Sequence, residues 1–344
     1  MNTFNLPSYE DIRKLFDDFV EKGNVNARIT SPTPAAPSSQ TLIPITNVID
    51  DKPACSAFDE LMALTGLDNV KAAISCEINY HKVMKLRSQF GYSTPKRLMH
   101  ILLTGNAGTG KTTVARLIGR IFKEEGILSR GQCVETSRSA MVGKWIGETE
   151  QKCLELIKFA KGGILFIDEI YSLVETEGNQ YSNKDFGMKA IDTLMPVLSD
   201  PESDVMVIGA GYTSSMKTFL SANPGLASRF PVVLDFEDFT IDQLMEIAVK
   251  QLRDYEFILL PEAEEKLRKL FRRAMSVKNF GNGRFVKTAI ENHIIPNLCT
   301  RVMRNGDLNV ADVASTSLIQ PEDIPSFRIL FPLSRNSGRK MGFA

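Results

Sequence analysis

The segment GNAGTGKT at residues 105–112 constrains the fold of this 344-residue chain more than any other feature. It matches the pattern GxxxxGK[ST], directly after the apolar run at 100–104 and directly before a helical periodicity that includes Val114, Leu117 and Ile118. In such a loop the glycines let successive backbone N–H groups surround phosphate oxygens, and the following helix presents its positive end. The sequence therefore predicts a strand, loop and helix that bind the phosphates of a nucleotide.

This loop predicts the ligand and the roles of its side chains. Lys111 is expected to reach the β- and γ-phosphate oxygens of ATP, and the Thr112 hydroxyl is expected to ligate Mg²⁺. The predicted nucleotide-binding residues of this segment are Gly105, Asn106, Ala107, Gly108, Thr109, Gly110, Lys111, Thr112 and Thr113.

A second apolar run, at residues 164–167, ends in two carboxylates, Asp168 and Glu169. Asp168 at the end of a strand is expected to hold Mg²⁺ through its water shell, and Glu169 to orient or deprotonate the attacking water. A nucleotide switch needs only the first acid. The second carboxylate therefore favours ATP hydrolysis over binding alone.

The hydrophobic pattern predicts an α/β fold with a parallel sheet flanked by helices, followed by a small all-helical lid domain. Short apolar runs at 100–104, 164–167 and 205–208 alternate with helical periodicity, which is typical of βαβ units. After residue 237 the strand-like runs stop, and amphipathic segments follow at 240–254, 261–275 and 283–298.

The predicted domains are an N-terminal amphipathic helix (1–30), a Pro- and Ser-rich linker (31–50), the nucleotide-binding domain (51–236), the helical lid (237–318) and a poorly ordered tail (319–344). The helix at residues 8–22 either packs on the main body or docks to a partner, and the sequence does not decide between the two.

Composition limits the class of partner and the compartment. Lys plus Arg and Asp plus Glu each number 41, so the net charge is zero and a general polyanion-binding surface is not expected. No stretch approaches the roughly 18 apolar residues of a membrane span, and a soluble cytoplasmic protein is predicted. Five scattered cysteines without a CxxC pattern predict reduced, buried thiols.

The chain's only tryptophan, Trp145, lies in a segment flanked by Gly143 and Gly147. An isolated tryptophan is more often a core residue than a contact residue, because its large area rewards burial. The flanking glycines and the adjacent Lys144 argue against burial here. Residue chemistry alone leaves both interpretations open.

Together these segments resemble the AAA+ ATPases, and within them the group that contains red-type rubisco activase (CbbX) and stage V sporulation protein K. The resemblance covers roughly residues 60–300. It rests on GNAGTGKTTVAR, MVGKWIGETE, GGILFIDEIYSL, AGY at 210–212, NPGLASRF at 223–230 and GNGRFVK at 281–287. It implies a ring-forming, usually hexameric, ATP-driven remodeller whose pore loops grip a polypeptide.

The resemblance also implies roles for residues outside the phosphate loop. Lys144, Trp145 and Ile146 match the pore loop, Arg229 matches the arginine finger that reaches a neighbouring subunit's nucleotide, and Arg284 matches the sensor-2 arginine of the lid. One departure is Gly211-Tyr212, which stands where related proteins often place a polar residue, with Thr213 as a candidate to orient the water. Another is Ala227 beside the finger, where relatives often carry a basic or polar residue.

Three functions compete at this point. The leading one is a Mg-dependent ATPase, a homo-oligomer expected to be a hexamer, that remodels a protein or protein complex. The second is a nucleic-acid loader or translocase, disfavoured by the neutral charge and by a pore loop with only one Lys and one Trp. The third is a nucleotide-gated assembly module, which needs neither Glu169 nor Arg229.

Overall fold

A five-stranded parallel sheet forms the centre of the larger domain. The computed structural model describes residues 56–143, 145, 147–174, 181–223, 225–278, 280–304 and 316–331, with the backbone alone at 181–185. The strands are β1 Ile101–Gly105, β2 Cys133–Thr136, β3 Gly163–Ile167, β4 Val205–Gly211 and β5 Val232–Phe236, in the order β2-β3-β4-β1-β5. The predicted N-terminal helix and linker lie outside the described residues.

Helices cover both faces of the sheet, as predicted for a buried parallel sheet. They are α1 Ala57–Met62, α2 Asp68–Gln89, α3 Lys111–Glu124, α4 Arg138–Met141, α5 Glu148–Ala160, α6 Tyr181–Ser199, α7 Thr213–Ala222 and α8 Leu226–Arg229. Side chains of β1 alternate between two cores: Ile101 and Leu103 pack with residues of α1, α2 and α3, and Leu102 packs with residues of α5, α6 and α7. No helix in the described ranges is both long and apolar enough to cross a bilayer.

The second domain is a helical lid with its own core. Its elements are α9 Ile241–Asp254, β6 Ile258–Leu259, α10 Pro261–Ala274, α11 Asn282–Ala289, a π-helical turn Ile290–Ile294, α12 Ile295–Arg304, β7 Leu318–Ile319, a 3₁₀ turn Pro321–Asp323 and α13 Phe327–Leu330. Thr240 and Gln243 form a capping box at the start of α9. The predicted α/β fold with a helical lid is confirmed.

The lid extends past the boundary that the sequence predicts. Ile319 and Ile324 are buried in the lid core, and β7 pairs in parallel with β6. The Phe331 ring stacks on Phe285 of α11, with ring centroids 5.5 Å apart. The prediction of a poorly ordered tail beginning at residue 319 is therefore wrong for residues 319–331, because their apolar side chains complete the lid core.

The cysteines correct a second prediction. Cys153 is buried and Cys133 is half-buried, and burial raises the pKa of each thiol to about 11. Cys76 on α2 and Cys299 on α12 are exposed, so the prediction of buried thiols is wrong for these two. Both lie on outward faces of amphipathic helices, where a small residue costs little. All four are free thiols.

Candidate functional site

The loop between β1 and α3 has the backbone shape that a phosphate site requires. Gly105, Gly108 and Gly110 have φ angles of 139°, 73° and 98°, a region that residues with a side chain rarely adopt. A Cβ at Gly105 would lie 2.3 Å from the carbonyl oxygen of Phe236 on β5. α3 begins at Lys111, and since the first N–H groups of a helix have no partner within it, they supply donors at the loop.

Lys111 is held by the loop that it serves. Its Nζ donates to the carbonyl oxygens of Gly105 at 2.9 Å and Asn106 at 2.6 Å. Burial lowers the pKa of the Lys111 ammonium, and the nearby Asp168 carboxylate opposes that shift. The cation is thus placed at the loop before any phosphate enters, so little side-chain order has to be created on binding.

Asp168 and Glu169 stand directly after β3 at the same edge of the sheet. The Asp168 N–H donates to the Thr136 carbonyl at the end of β2, over 2.9 Å, and the Glu169 N–H donates to Asp168 Oδ1 over 3.0 Å. Glu169 has a φ of 49°, an unusual value for a residue with a side chain. Such backbone strain clusters at active sites, and both side chains are exposed.

These elements border one cavity of about 620 Å³, within the range of ligand pockets. The sequence-predicted residues that line it are Gly105, Ala107, Gly108, Thr109, Gly110, Lys111, Thr112, Thr113, Asp168, Glu169 and Arg284. The structure thus brings together the loop, both carboxylates and the lid arginine.

Two residues that the sequence predicts beside the subunit's own nucleotide do not line this cavity. The Asn106 side chain donates to both carboxylate oxygens of Asp238, at 3.0 and 2.9 Å. The Thr213 hydroxyl lies 3.4 Å from Asp235 Oδ1, whereas Gly211 and Tyr212 line the cavity. The Thr213 hydroxyl therefore contacts a carboxylate of its own domain, and Thr213 does not line the cavity.

Arg229 also lies away from the cavity of its own chain. It ends α8, and its guanidinium donates to Ser199 Oγ and to the Gly225 carbonyl, each over 3.0 Å. It is half-buried. These contacts hold the guanidinium at the surface of the larger domain.

Trp145 is 76% exposed, so the described residues do not bury it in either core. The segment that carries it is anchored to the start of α5: the Gly143 N–H donates to Thr149 Oγ1 over 2.9 Å, and the Trp145 N–H donates to Glu148 Oε2 over 3.2 Å. Lys144 and Ile146 lie outside the described residues.

The two carboxylates also line a second cavity, of about 630 Å³. Its lining residues come from α4 and the residue before it, from the start of the tryptophan segment, from the turn after β3 and from α6: Ser137, Arg138, Ser139, Val142, Gly143, Asp168, Glu169, Ser172 and Phe186. The Arg138 guanidinium donates to the Ser172 carbonyl. Asp168 and Glu169 thus line both the nucleotide cavity and a cavity that the base of the tryptophan segment borders.

Sequence reasoning missed the part of the nucleotide cavity that the turn after α1, the junction after β5 and the lid helices form. Those lining residues are Leu64, Thr65, Leu67, Phe239, Ile247, Lys250, Gln251, Asp254 and Lys287. Phe239 had a usable signal, because it follows β5 at the edge of the sheet where ligands bind. Leu64, Thr65 and Leu67 lie in the turn between α1 and α2, and the other residues lie on the lid helices α9 and α11. Only the packing of the lid brings the two groups together.

The donor set suits magnesium better than a protein-enclosed metal. In the described residues, no three His, Cys, Asp or Glu side chains are grouped so that they could hold an ion by themselves. Mg²⁺ is ordinarily bound through one or two protein oxygens together with substrate phosphates. Thr112 and Asp168, which line the same cavity, provide that kind of ligand.

Comparison with known protein families gives two matches that follow each other along the chain. Residues 101–238 match the ATPase family associated with various cellular activities (AAA), and residues 240–329 match an AAA lid domain. The first match spans the sheet with its phosphate loop, and the second spans the helical lid through most of α13.

Individual relatives agree with these matches. Stage V sporulation protein K of Bacillus subtilis is 44% identical over 68% of this chain and 72% of its own length. The chloroplastic ribulose bisphosphate carboxylase/oxygenase activase of Cyanidioschyzon merolae is 36% identical over 66% of this chain and 76% of its own length. Among solved structures, the FIGL-1 AAA domain in complex with ADP aligns with a TM-score of 0.49 at 20% identity, over 80% of this chain and 84% of that chain.

Proposed function

Because the chain belongs to the AAA ATPases, we propose that it acts as a ring of identical subunits, expected to be a hexamer, that remodels or threads a protein substrate. Hydrolysis of ATP follows from the family itself. A relative named as an activase of ribulose bisphosphate carboxylase/oxygenase supports a protein or protein complex as the substrate class. The observation that carries the proposal is an exposed tryptophan whose segment begins at a cavity that the two carboxylates also line.

In the proposed reaction, the backbone N–H groups of the loop 105–110 and of the first turn of α3, which includes Thr113, bind the phosphates. Lys111 neutralises phosphate charge at the position its loop contacts already fix. Glu169 orients the attacking water and accepts its proton. When bound, magnesium would neutralise further phosphate charge, with Thr112 and Asp168 as its protein ligands.

We assign Arg229 to a neighbouring subunit's site. It lies outside its own cavity, at the end of a short helix on the surface of the larger domain. A guanidinium placed at the transferred phosphate stabilises the charge of the transition state. The ring proposal therefore predicts that a complete site needs two subunits.

The decisive experiment measures ATP turnover per subunit against protein concentration. Turnover of the wild-type protein should rise as subunits assemble, and Arg229→Ala should lose on the order of a thousandfold in kcat. Arg272→Ala, an exposed arginine on α10, is the matched control and should behave like wild type. Turnover that is independent of concentration, with Arg229→Ala unimpaired, would mean that each chain works alone.

Trp145 is the proposed substrate contact. A large aromatic side chain makes sequence-independent apolar contact with an extended chain. The hydrogen bonds from Gly143 and Trp145 to α5 would transmit movement of that helix to the indole of Trp145. Pore function thus needs both the exposed aromatic and its anchored base.

We expect Trp145→Ala to keep basal ATP turnover and to lose the stimulation of turnover by an unfolded polypeptide, for which casein is the probe. Trp145→Tyr, which keeps an aromatic ring, should retain most of the stimulation. Thermal unfolding should be unchanged in both variants, because the side chain is exposed. If Trp145→Ala unfolds the domain, or if casein still stimulates ATP turnover in that variant, the assignment of Trp145 is contradicted.

A further inference from the structure

A completely buried asparagine begins the lid helix that carries Arg284. Asn282 is the first residue of α11, and its φ of 46° lies in the left-handed region, which asparagine tolerates better than most residues. Its Oδ1 accepts from the Phe239 N–H at 3.1 Å, and its Nδ2 donates to Asp238 Oδ1 at 2.7 Å and to the Ala107 carbonyl at 3.3 Å. One side chain therefore contacts the junction between the domains and the phosphate loop.

Asp238 extends this contact back to the loop. Its carboxylate accepts from Asn106 Nδ2 as well as from Asn282 Nδ2. Hydrogen bonds to a charged group are stronger than those between neutral groups. The three side chains Asn106, Asp238 and Asn282, called here the Asn282 cluster, thus connect the phosphate loop, the junction after β5 and the start of the lid helix.

The backbones meet at the same place. The Gly283 N–H donates to the Gly108 carbonyl over 3.0 Å, and a Cβ on Gly108 would lie 2.0 Å from the Gly281 carbonyl oxygen. Ala107 and Gly108 belong to the segment whose N–H groups are proposed to bind phosphates. A shift of that loop on nucleotide binding therefore changes hydrogen bonds that hold α11.

We infer that Asn282 is a positioning residue: the Asn282 cluster holds the lid against the phosphate loop, so that the state of the loop sets the orientation of the lid and of Arg284. The part concerning Arg284 rests on the proposed function, in which that arginine contacts the nucleotide. Arg284 lies two residues after Asn282, on the first turn of the same helix, and lines the nucleotide cavity. A rigid helix that is fixed at its first residue fixes the neighbouring side chains as well.

The test uses Asn282→Gly, which removes the amide and keeps a residue that accepts the left-handed backbone. Asn282→Asp is the second variant: it keeps the shape, loses the donated hydrogen bonds and places a second carboxylate beside Asp238. Asn297→Asp is the matched control, because Asn297 donates to the Asp323 carbonyl inside the lid. Thermal unfolding of each variant establishes that it is folded.

Lid orientation is measured as a distance between spin labels on the two exposed cysteines, Cys76 on α2 and Cys299 on α12, in full-length protein with Cys55→Ser. We expect Cys133 and Cys153 to react slowly, because Cys153 is buried, Cys133 is half-buried and burial raises the pKa of each thiol to about 11. Labelled subunits are diluted with unlabelled ones to remove distances between subunits. We expect a narrow distribution in wild type and Asn297→Asp, and a broad one in both Asn282 variants.

ATP affinity provides the second readout. Asn282→Gly and Arg284→Ala should each weaken ATP binding about tenfold, the size of a lost charged hydrogen bond. The double variant should be weaker than Arg284→Ala by less than about twofold, since both changes remove one interaction. If the affinity losses of the two single variants multiply in the double variant, Asn282 and Arg284 act independently. That result would overturn the link between Asn282 and Arg284.

The two proposals fail differently. A narrow wild-type distribution in Asn282→Gly and Asn282→Asp would overturn the inference about the Asn282 cluster. Full ATP affinity in Arg284→Ala, together with a broad distribution in the Asn282 variants, would instead overturn the role of Arg284 and leave the cluster as the determinant of lid orientation.

Discussion

At the scale of the single residue, His100 links stability to pH. It lies just before β1 and is buried, and its Nδ1 accepts from the Val207 N–H over 3.0 Å. Burial lowers the pKa of its imidazole to about 4, although the carbonyls of Val197 and Leu198 oppose the shift. The folded state therefore holds His100 neutral.

Because the folded pKa lies below the unfolded value of 6.5, the contribution of His100 to stability is complete above pH 6.5 and is lost as the pH falls towards 4. The free energy of unfolding should fall by about 3 kcal/mol over this pH range. His100→Asn, which keeps a neutral acceptor for Val207, should remove this component of the pH dependence. Urea unfolding from pH 7 to pH 4 checks it, and parallel pH profiles of the two proteins would contradict it.

Sequence reasoning recovers site residues whose chemistry is local. The phosphate loop with Lys111, and the pair Asp168 and Glu169, follow from residue types at fixed spacing beside apolar runs. The roles of Asn106 and Asn282 do not, because an asparagine's hydrogen bonds depend on which backbone groups the fold brings within 3 Å or so. The left-handed backbone at Glu169 likewise leaves no trace in the sequence.

At the scale of the element, an ion pair anchors the end of the lid. Arg301 on α12 donates from Nε and Nη2 to the two carboxylate oxygens of Asp323, over 2.9 and 3.0 Å. The side chains are 10% and 1% exposed. Arg301 also donates to the Leu318 carbonyl over 2.7 Å, so this pair fixes β7 and the turn that follows it.

Asp323→Asn should destabilise the lid by about 3 kcal/mol, because it removes the buried charge partner of a largely buried guanidinium. The exposed Glu322, 3.7 Å from Arg301 Nε, is the only carboxylate that the described contacts then leave to it. Glu265→Gln is the matched control: it breaks an exposed pair with Lys269 on α10 and should cost little. Thermal unfolding of the two variants checks the difference. Equal stability of Asp323→Asn and Glu265→Gln would show that the Arg301 pair contributes nothing.

The same elements show why the lid boundary escaped prediction. β6 and β7 have two residues each and pair across about sixty positions of sequence, which is too short for a periodic signal and too distant for a turn signal. The strands β1, β3 and β4 are continuous apolar runs, so they were found within a few residues of their ends. Pro321 and Pro325 lie in the segment that the sequence predicts to be poorly ordered, whereas Pro321 begins a 3₁₀ turn.

At the scale of the whole molecule, nucleotide should stabilise both domains together, since the cavity has walls from the sheet and from the lid. Glu169→Gln removes the proposed base but no phosphate contact. ATP at one hundred times the Kd of this variant should therefore raise its free energy of unfolding by about 2.7 kcal/mol. The same ATP concentration should raise the free energy of unfolding of Lys111→Ala far less. Thermal unfolding with and without Mg·ATP measures both, and an equal gain in the two variants would remove Lys111 from the phosphate site.

The contact between Gly283 and Gly108 also has a thermodynamic counterpart. Binding free energies are reciprocal: if phosphates in the loop favour one lid orientation, then any force that moves the lid away from it weakens nucleotide binding by the same factor. A neighbouring subunit that pushes on the lid would thus lower the affinity for the nucleotide without touching it. The proposed ring would then control the order of nucleotide exchange through affinities that the contact between lid and loop changes.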